Sequence, residues 1–285
     1  MRPLHQLLLC AKLLFVTCLA YRPVFIIHGV WDLRFSLDFL AEHIKQYHIG
    51  TEVHVIDILH GWRSLAPLWY QVKTYHAHML PIMREATDGV ILIGYSQGGI
   101  ISRGIVETTD HNITTFISLS SPQAGQYGDG FLRLIFPQYI KETVYEVFYS
   151  RVGQRISVAN YWNDPHHQKL YYKFNNYLPY INNEINSSYQ EDYRQNYLKL
   201  KNLVLIGGPD DGVITPWQSS HYSFYDSQEN IVEMKDQTFY KQDLFGLHTL
   251  DKAGKVKIYE VPGVYHTEWH HNVSVIKNCI LPWLD

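Results

Sequence analysis

The chain has few cysteines, little charge and, beyond its first twenty residues, no long apolar run. Cysteine occurs three times in 285 residues, as Cys10, Cys18 and Cys279. If the N-terminal stretch is removed, Cys279 stands alone, which excludes an internal disulfide and a thiolate-built metal cluster. Stability must then come from core size, which a chain of this length can supply. Charged residues make up 18% of the sequence, and the formal net charge is −3. No basic field or Lys/Arg run is present, so nucleic acid is not an expected partner. The 46% hydrophobic content is that of a globular protein, and the length fits one large domain with an insertion.

Met1 to Ala20 carries Arg2, then Leu7-Leu8-Leu9 and Leu13-Leu14-Phe15-Val16, and ends in Cys18-Leu19-Ala20 with small residues where a signal peptidase cuts. Residues 1–20 therefore read as a cleaved secretory signal. Lys12 interrupts the apolar run, and the alternative is an N-terminal anchor. No later stretch is long and apolar enough to cross a bilayer, so stable membrane insertion is not expected. Sequons at Asn112, Asn186 and Asn272 agree with a secretory route and are the candidate glycosylation sites.

The stretch around which the chain is organised is Val90-Ile91-Leu92-Ile93-Gly94-Tyr95-Ser96-Gln97-Gly98-Gly99, followed by the helical pattern of Ile100 to Val106. A buried strand running into a helix through Gly-x-Ser-x-Gly lifts a serine hydroxyl out of a sharp turn. Gly94 and Gly98 leave room for that turn, and the Gln97 amide, at the new helix's N-terminus, points where an oxyanion would form. Ser96 is the candidate nucleophile. Upstream, Pro23 to Ile27 reads as a strand, and His28-Gly29-Val30 as the loop that presents a second oxyanion donor, the Val30 amide. His28 itself reads as a hydrogen-bonded structural residue.

Helical spacing over Leu37 to Ile44 and Leu65 to Arg84, alternating with strands at Val53 to Ile58, Val90 and Thr114 to Ser120, predicts an α/β fold with a parallel, doubly wound sheet. The alternation breaks over 121–201, where 12 of the 22 tyrosines fall. This segment reads as a lid or cap insertion over the sheet's carboxyl edge, with some of its aromatics lining a cleft. Residues 21–120 and 202–285 form the core. Leu203 to Ile206 restarts the sheet, and the loop Gly207-Gly208-Pro209-Asp210-Asp211-Gly212 offers two aspartates as the acid of a triad. Val256 to Val261 is the last strand, and His266 on the following loop can serve as the base. The run His266-Thr267-Glu268-Trp269-His270-His271 does not match a zinc-protease helix, so no metal is expected.

His28-Gly29, Gly94 to Gly99, Ser118 to Gln123, Gly125 to Gly128, Asn160 to Trp162, Asp164 to His167, Gly207 to Gln218 and Cys279 to Trp283 together resemble the palmitoyl-protein thioesterases of the α/β-hydrolase superfamily. The resemblance covers nearly the whole chain after residue 20. It implies Ser96 as nucleophile, Asp211 rather than Asp210 as acid, His266 as base, and Val30 and Gln97 as oxyanion donors. It also implies a fatty acyl thioester substrate, no cofactor, and glycosylated delivery to the lysosome. Relatives of this kind carry disulfides, which Cys279 alone cannot form within the chain. Two other readings of the same residues are a secreted carboxylesterase or lipase and a catalytically silent binding protein.

Overall fold

The structure, a computed structural model, describes residues 21–285, so the expected signal segment lies outside it. Strands β1 (Val24–Ile27), β2 (Val53–Val55), β3 (Val90–Tyr95), β4 (Ile113–Leu119) and β5 (Asn202–Gly207) are followed by a short hairpin, β6 (Phe224–Tyr225) with β7 (Ile231–Val232), and then by β8 (Val256–Glu260). Six of them form one sheet in the order β2-β1-β3-β4-β5-β8, every neighbouring pair parallel. Strands β1, β3 and β4 are buried at every position. That is why they read as continuous apolar runs instead of alternating ones: both faces of the sheet are covered.

Successive residues of one strand feed opposite cores. Phe25, Ile27, Leu92 and Phe116 pack with Val72, Tyr75 and Met79 of α2 (Leu68–Glu85) and with Ile101 and Ile105 of α3 (Gln97–Thr108). Val24, Ile26, Ile91 and Ile117 pack with Leu40 and Ile44 of α1 (Asp38–Tyr47) and with Trp269, Ile276 and Ile280 from the C-terminal segment. Full burial of each such side chain is worth about 1.5–3 kcal/mol, so two cores of this size hold the sheet without a disulfide. Cys279 lies buried in the second core as a free thiol.

Strand β2 stops short of the predicted Ile58. Ile56 still donates to the Ile26 carbonyl, but the Ile58 amide turns back onto Ile56 and the chain leaves the sheet.

Two features of the insertion bear on its role. Most of its aromatics, among them Phe131, Phe148, Tyr149, Tyr161, Trp162 and Tyr171, are buried. They meet one another edge-on, as Phe148 meets Trp162 at 5.5 Å, so they chiefly form the insertion's own core. Its last helix, Gln190–Leu198, packs on α3 and closes the crossover from β4 to β5, so it belongs to the flanking layer of the sheet. Arg103 of α3 ties the layers together. It pairs with Glu107 at 2.6 Å, donates to the carbonyls of Gln123 and Ile181, and lies over the Phe245 ring.

Candidate active site

The carboxyl ends of β1, β3, β4 and β5 converge with the loop after β8 on one cluster of side chains. At its centre Ser96 sits between β3 and α3 with φ 53° and ψ −126°, a left-handed conformation that a serine adopts only when its surroundings impose it. The neighbours explain how the turn fits. A Cβ on Gly98 would lie 2.2 Å from the Ile27 carbonyl oxygen, and one on Gly94 would lie 2.5 Å from that of Gly98. Side chains at either position would push the helix off the strands.

The Ser96 hydroxyl stands 2.9 Å from Nε2 of His266, and Nδ1 of that ring stands 2.9 Å from a carboxylate oxygen of Asp211. A carboxylate only accepts, so Nδ1 carries the proton and Nε2 is left free to take one from the serine. All three side chains are buried. The predicted Ser96, Asp211 and His266 thus meet within hydrogen-bonding distance from three distant parts of the chain.

The two aspartates left open by the sequence are separated by their surroundings. Asp211 is buried and accepts from His266, Ser120, the Trp269 indole and the amides of Val213 and Ile214. Burial alone would raise its pKa, but the hydrogen bond and charge of His266, with Ser120 and the Ile214 amide, hold the carboxyl below its ordinary value. Asp210 points outward and accepts from the Gly263 amide at 2.7 Å.

Opposite the histidine lies the loop after β1. Gly29 abuts the nucleophile, since a Cβ there would meet that of Ser96 at 2.9 Å. The Val30 amide finds no acceptor among the described residues, and the Gln97 amide is the first of α3, where helix N–H groups have no intrahelical partner. Asp32 accepts from the Gly29 amide at 2.6 Å and clamps the loop. Burial raises the Asp32 pKa against the pull of that amide and of His28, His266 and His60. His28 is buried between the carbonyls of Gly29 and Ile58 and the Tyr75 hydroxyl, stacked on His60, in keeping with a structural role. The Gln97 side chain bridges the Ser64 carbonyl and the Tyr161 hydroxyl, which fastens the insertion to the elbow.

Four contributors escaped the sequence reading: Ser120, Trp269, Asp32 and Tyr95. The Tyr95 hydroxyl donates to the His266 carbonyl at 2.7 Å and its ring stacks on the imidazole at 5.3 Å. Ser120 sits at the carboxyl end of β4, the strand between β3 and β5, and that position was the one signal available. The histidine run after β8 disperses: His266 joins the triad, His270 lies tilted against the Tyr95 ring at 4.7 Å, and His271 meets Phe39 edge-on. Burial, with His271 and His266 nearby, lowers the His270 pKa to about 4.

The sequons differ in geometry. Asn186 is exposed on a loop, and Asn272 caps the following helical turn through its carbonyl, leaving its amide nitrogen free. Asn112 is the exception. Both hydrogens of its amide are donated, to Met83 and Ala86 carbonyls at 2.7 and 2.8 Å, so the fold speaks against the expectation of a sugar there.

A family model for palmitoyl protein thioesterase matches residues 23–266. Over 268 residues the chain is 47% identical to lysosomal thioesterase PPT2 of Bos taurus, covering 93% of this chain and 88% of that one. Against the Homo sapiens protein of the same name it is 46% identical, covering 93% and 89%. Palmitoyl-protein thioesterase 3 of Dictyostelium discoideum is 29% identical over 91% of this chain and 90% of its own. Among solved structures, the ferulic acid complex of Est1E from Butyrivibrio proteoclasticus superposes with a TM-score of 0.53 at 16% identity, covering 92% of this chain and 88% of that chain. That likeness bears on the fold, which is the α/β-hydrolase fold.

Proposed function

Since this chain belongs to the palmitoyl protein thioesterase family and is a thioester hydrolase, we propose that it cleaves long-chain fatty acyl thioesters in the lysosome through Ser96, His266 and Asp211. The observation that carries the reading is the continuous chain of hydrogen bonds from the Ser96 hydroxyl through the imidazole to a buried carboxylate. His266 takes the serine proton as Oγ adds to the thioester carbonyl, and Asp211 steadies the imidazolium that forms. The amides of Val30 and Gln97 receive the oxyanion. When the intermediate collapses, the carbon–sulfur bond breaks, the thiol leaves with the proton held by His266, and the acyl group remains on Ser96. Water, deprotonated by the same histidine, then releases the fatty acid. A thiol of pKa about 8.5 departs readily, so little protonation is needed at that step. The secretory signal read at residues 1–20 and the name shared by several relatives support the lysosomal assignment.

Matched acyl thioesters and oxygen esters over a series of chain lengths test the proposal. Turnover should favour thioesters and long chains, and Ser96→Ala should abolish it while the fold persists. Equal or faster hydrolysis of the oxygen esters would place the chain with carboxylesterases instead.

A further inference from the structure

Large apolar side chains are exposed beside the catalytic mouth, on the loop after β1 and on the segment that runs through Gly61–Leu65 into the first turn of α2. Trp31, Leu33 and Phe35 follow directly on the Val30 amide and are 42%, 72% and 64% exposed. Trp62 and Tyr70, 69% and 55% exposed, rise from the neighbouring segment, where Trp62 and Tyr70 wall a groove of about 560 Å³ with Leu59 and Leu65. The loops are tied to each other. The Trp31 amide donates to the Ser64 hydroxyl at 2.8 Å, the Gly61 amide to the Asp32 carbonyl at 2.9 Å, and Arg34 pairs with Asp57 at 2.7 Å. The five side chains therefore form one surface in fixed relation to Ser96. At about 150–250 Å² for a large side chain, they leave on the order of 500 Å² of apolar area in water, as much as the largest patch on an ordinary monomer.

The backbone beneath is held in conformations that side chains rarely adopt: φ is 62° at Trp31, 72° at Phe35 and 58° at Leu59. Trp31 and Phe35 bury little, so the fold gains little from the strain at those two positions, whereas Leu59 packs partly buried against the core beneath them. Left-handed residues that cluster next to a catalytic centre and hold apolar groups outward mark a surface built to meet something. The charge on the patch narrows what that is. Arg63, with no ion-pair partner among the described residues, lies 5.7 Å from the Trp62 ring, and Arg34, whose charge is shared with Asp57, lies 5.0 Å from the Phe35 ring, placing two guanidinium groups among the aromatics in a chain whose net charge is −3. Indole and phenol rings interleaved with arginine suit the boundary between acyl chains and anionic headgroups, where rings sink to headgroup depth and guanidinium groups meet phosphate.

We infer that the surface formed by Trp31, Leu33, Phe35, Trp62 and Tyr70, flanked by Arg34 and Arg63, docks the enzyme reversibly on an anionic lipid bilayer with its catalytic mouth facing the membrane. The inference rests on the thioesterase reading for its purpose, presenting acyl thioesters drawn from the membrane to Ser96, but its test does not depend on turnover. Among the described residues no helix is long and apolar enough to cross a membrane, so the contact is interfacial.

The full chain carrying Ser96→Ala is mixed with unilamellar vesicles of phosphatidylcholine, with or without about one-third phosphatidylglycerol. Binding is read by co-sedimentation and tryptophan emission. The protein should partition onto the anionic vesicles with a blue-shifted emission. Adding Phe35→Ser and Trp62→Ser should reduce partitioning by about tenfold or more, and Arg34→Gln with Arg63→Gln should remove the preference for anionic lipid. On the active enzyme, the Phe35→Ser and Trp62→Ser pair should leave turnover of a short, soluble acyl thioester unchanged while slowing that of a vesicle-embedded one. Absence of vesicle binding overturns the inference, as does binding that the substitutions do not alter. Light scattering that shows a dimer dissociated by the same substitutions would assign the patch to a second copy of the chain instead. Vesicle binding by a chain that hydrolyses no thioester would leave the docking surface standing and remove the reading of its purpose.

Discussion

Replacing Asp211 by asparagine is the perturbation that the site tolerates least. The carboxylate receives five donors: the His266 ring, the Ser120 hydroxyl, the Trp269 indole and the amides of Val213 and Ile214. An asparagine keeps one acceptor oxygen and must set its NH2 either against the two backbone amides or against Ser120 and Trp269. The first rotamer turns two charge-assisted bonds into donor–donor contacts; the second turns one, at the Trp269 indole, because the Ser120 hydroxyl can rotate to accept. The cheaper rotamer therefore costs about 1.5–3 kcal/mol, a sizeable share of the stability of an ordinary domain. The imidazole also loses the partner that fixes its tautomer. In a triad that change costs about 10⁴ in rate, or roughly 5 kcal/mol of transition-state stabilisation. Asp210→Asn leaves an oxygen to accept from the Gly263 amide and removes only the charge at an exposed position, so it should lower stability by less than about 1 kcal/mol and leave the rate within about twofold. Release of thiol from an acyl thioester, measured alongside thermal unfolding by circular dichroism, separates the two. The reasoning fails if Asp211→Asn retains a tenth of the activity, or if Asp210→Asn is the more damaging change.

Other expectations come from the same surroundings. Gly98→Ala drives a methyl group into the Ile27 and His28 carbonyls, so it should destabilise by about 2 kcal/mol or more and abolish turnover by displacing the oxyanion loop; a wild-type melting curve would contradict this. His111 is held neutral, its Nδ1 accepting from the Ile113 amide, and burial, partly opposed by a hydrogen bond to the Asn196 carbonyl, depresses its folded pKa to about 4. The unfolded chain then binds more protons below about pH 6.5, so His111 withdraws about 2 kcal/mol of stability between pH 7.5 and pH 5. Denaturant unfolding of His111→Gln should show an acid fall shallower by that amount, and an unchanged slope would refute the assignment. Glycopeptide mass spectrometry should find sugar at Asn186 and Asn272 and none at Asn112.

What could be read from the sequence was what glycine and strand chemistry dictate locally. Ser96 was legible because a strand, a serine between two glycines and a helix admit few conformations. His266 was legible by its place after the last strand. Asp210 and Asp211 share one loop, and nothing in the residues alone separates them. The distinction arises from Ser120 and Trp269, brought to Asp211 from other strands and segments. The aromatic content of 121–201 left the facing of each ring open for a related reason. Composition gives the amount of apolar surface but not which side of it is covered, and Trp162, Tyr161 and Phe148 turned inward while Trp31, Phe35 and Trp62 stayed out. Tyr95 fell inside the recognised motif as an unspecified position, and its bond to the His266 carbonyl depends on the loop after β8 folding back across the sheet.

The central claim is that Ser96 is the atom to which the acyl group passes. It is tested most directly by mixing the enzyme with a long-chain acyl thioester, quenching in acid within the first turnover, and locating the acyl mass by peptide mass spectrometry. The account predicts an acyl ester on the peptide containing Ser96, accumulating with a burst of thiol and absent from His266→Ala. An acyl group found on another residue, or thiol released with no covalent species at any time, would contradict it.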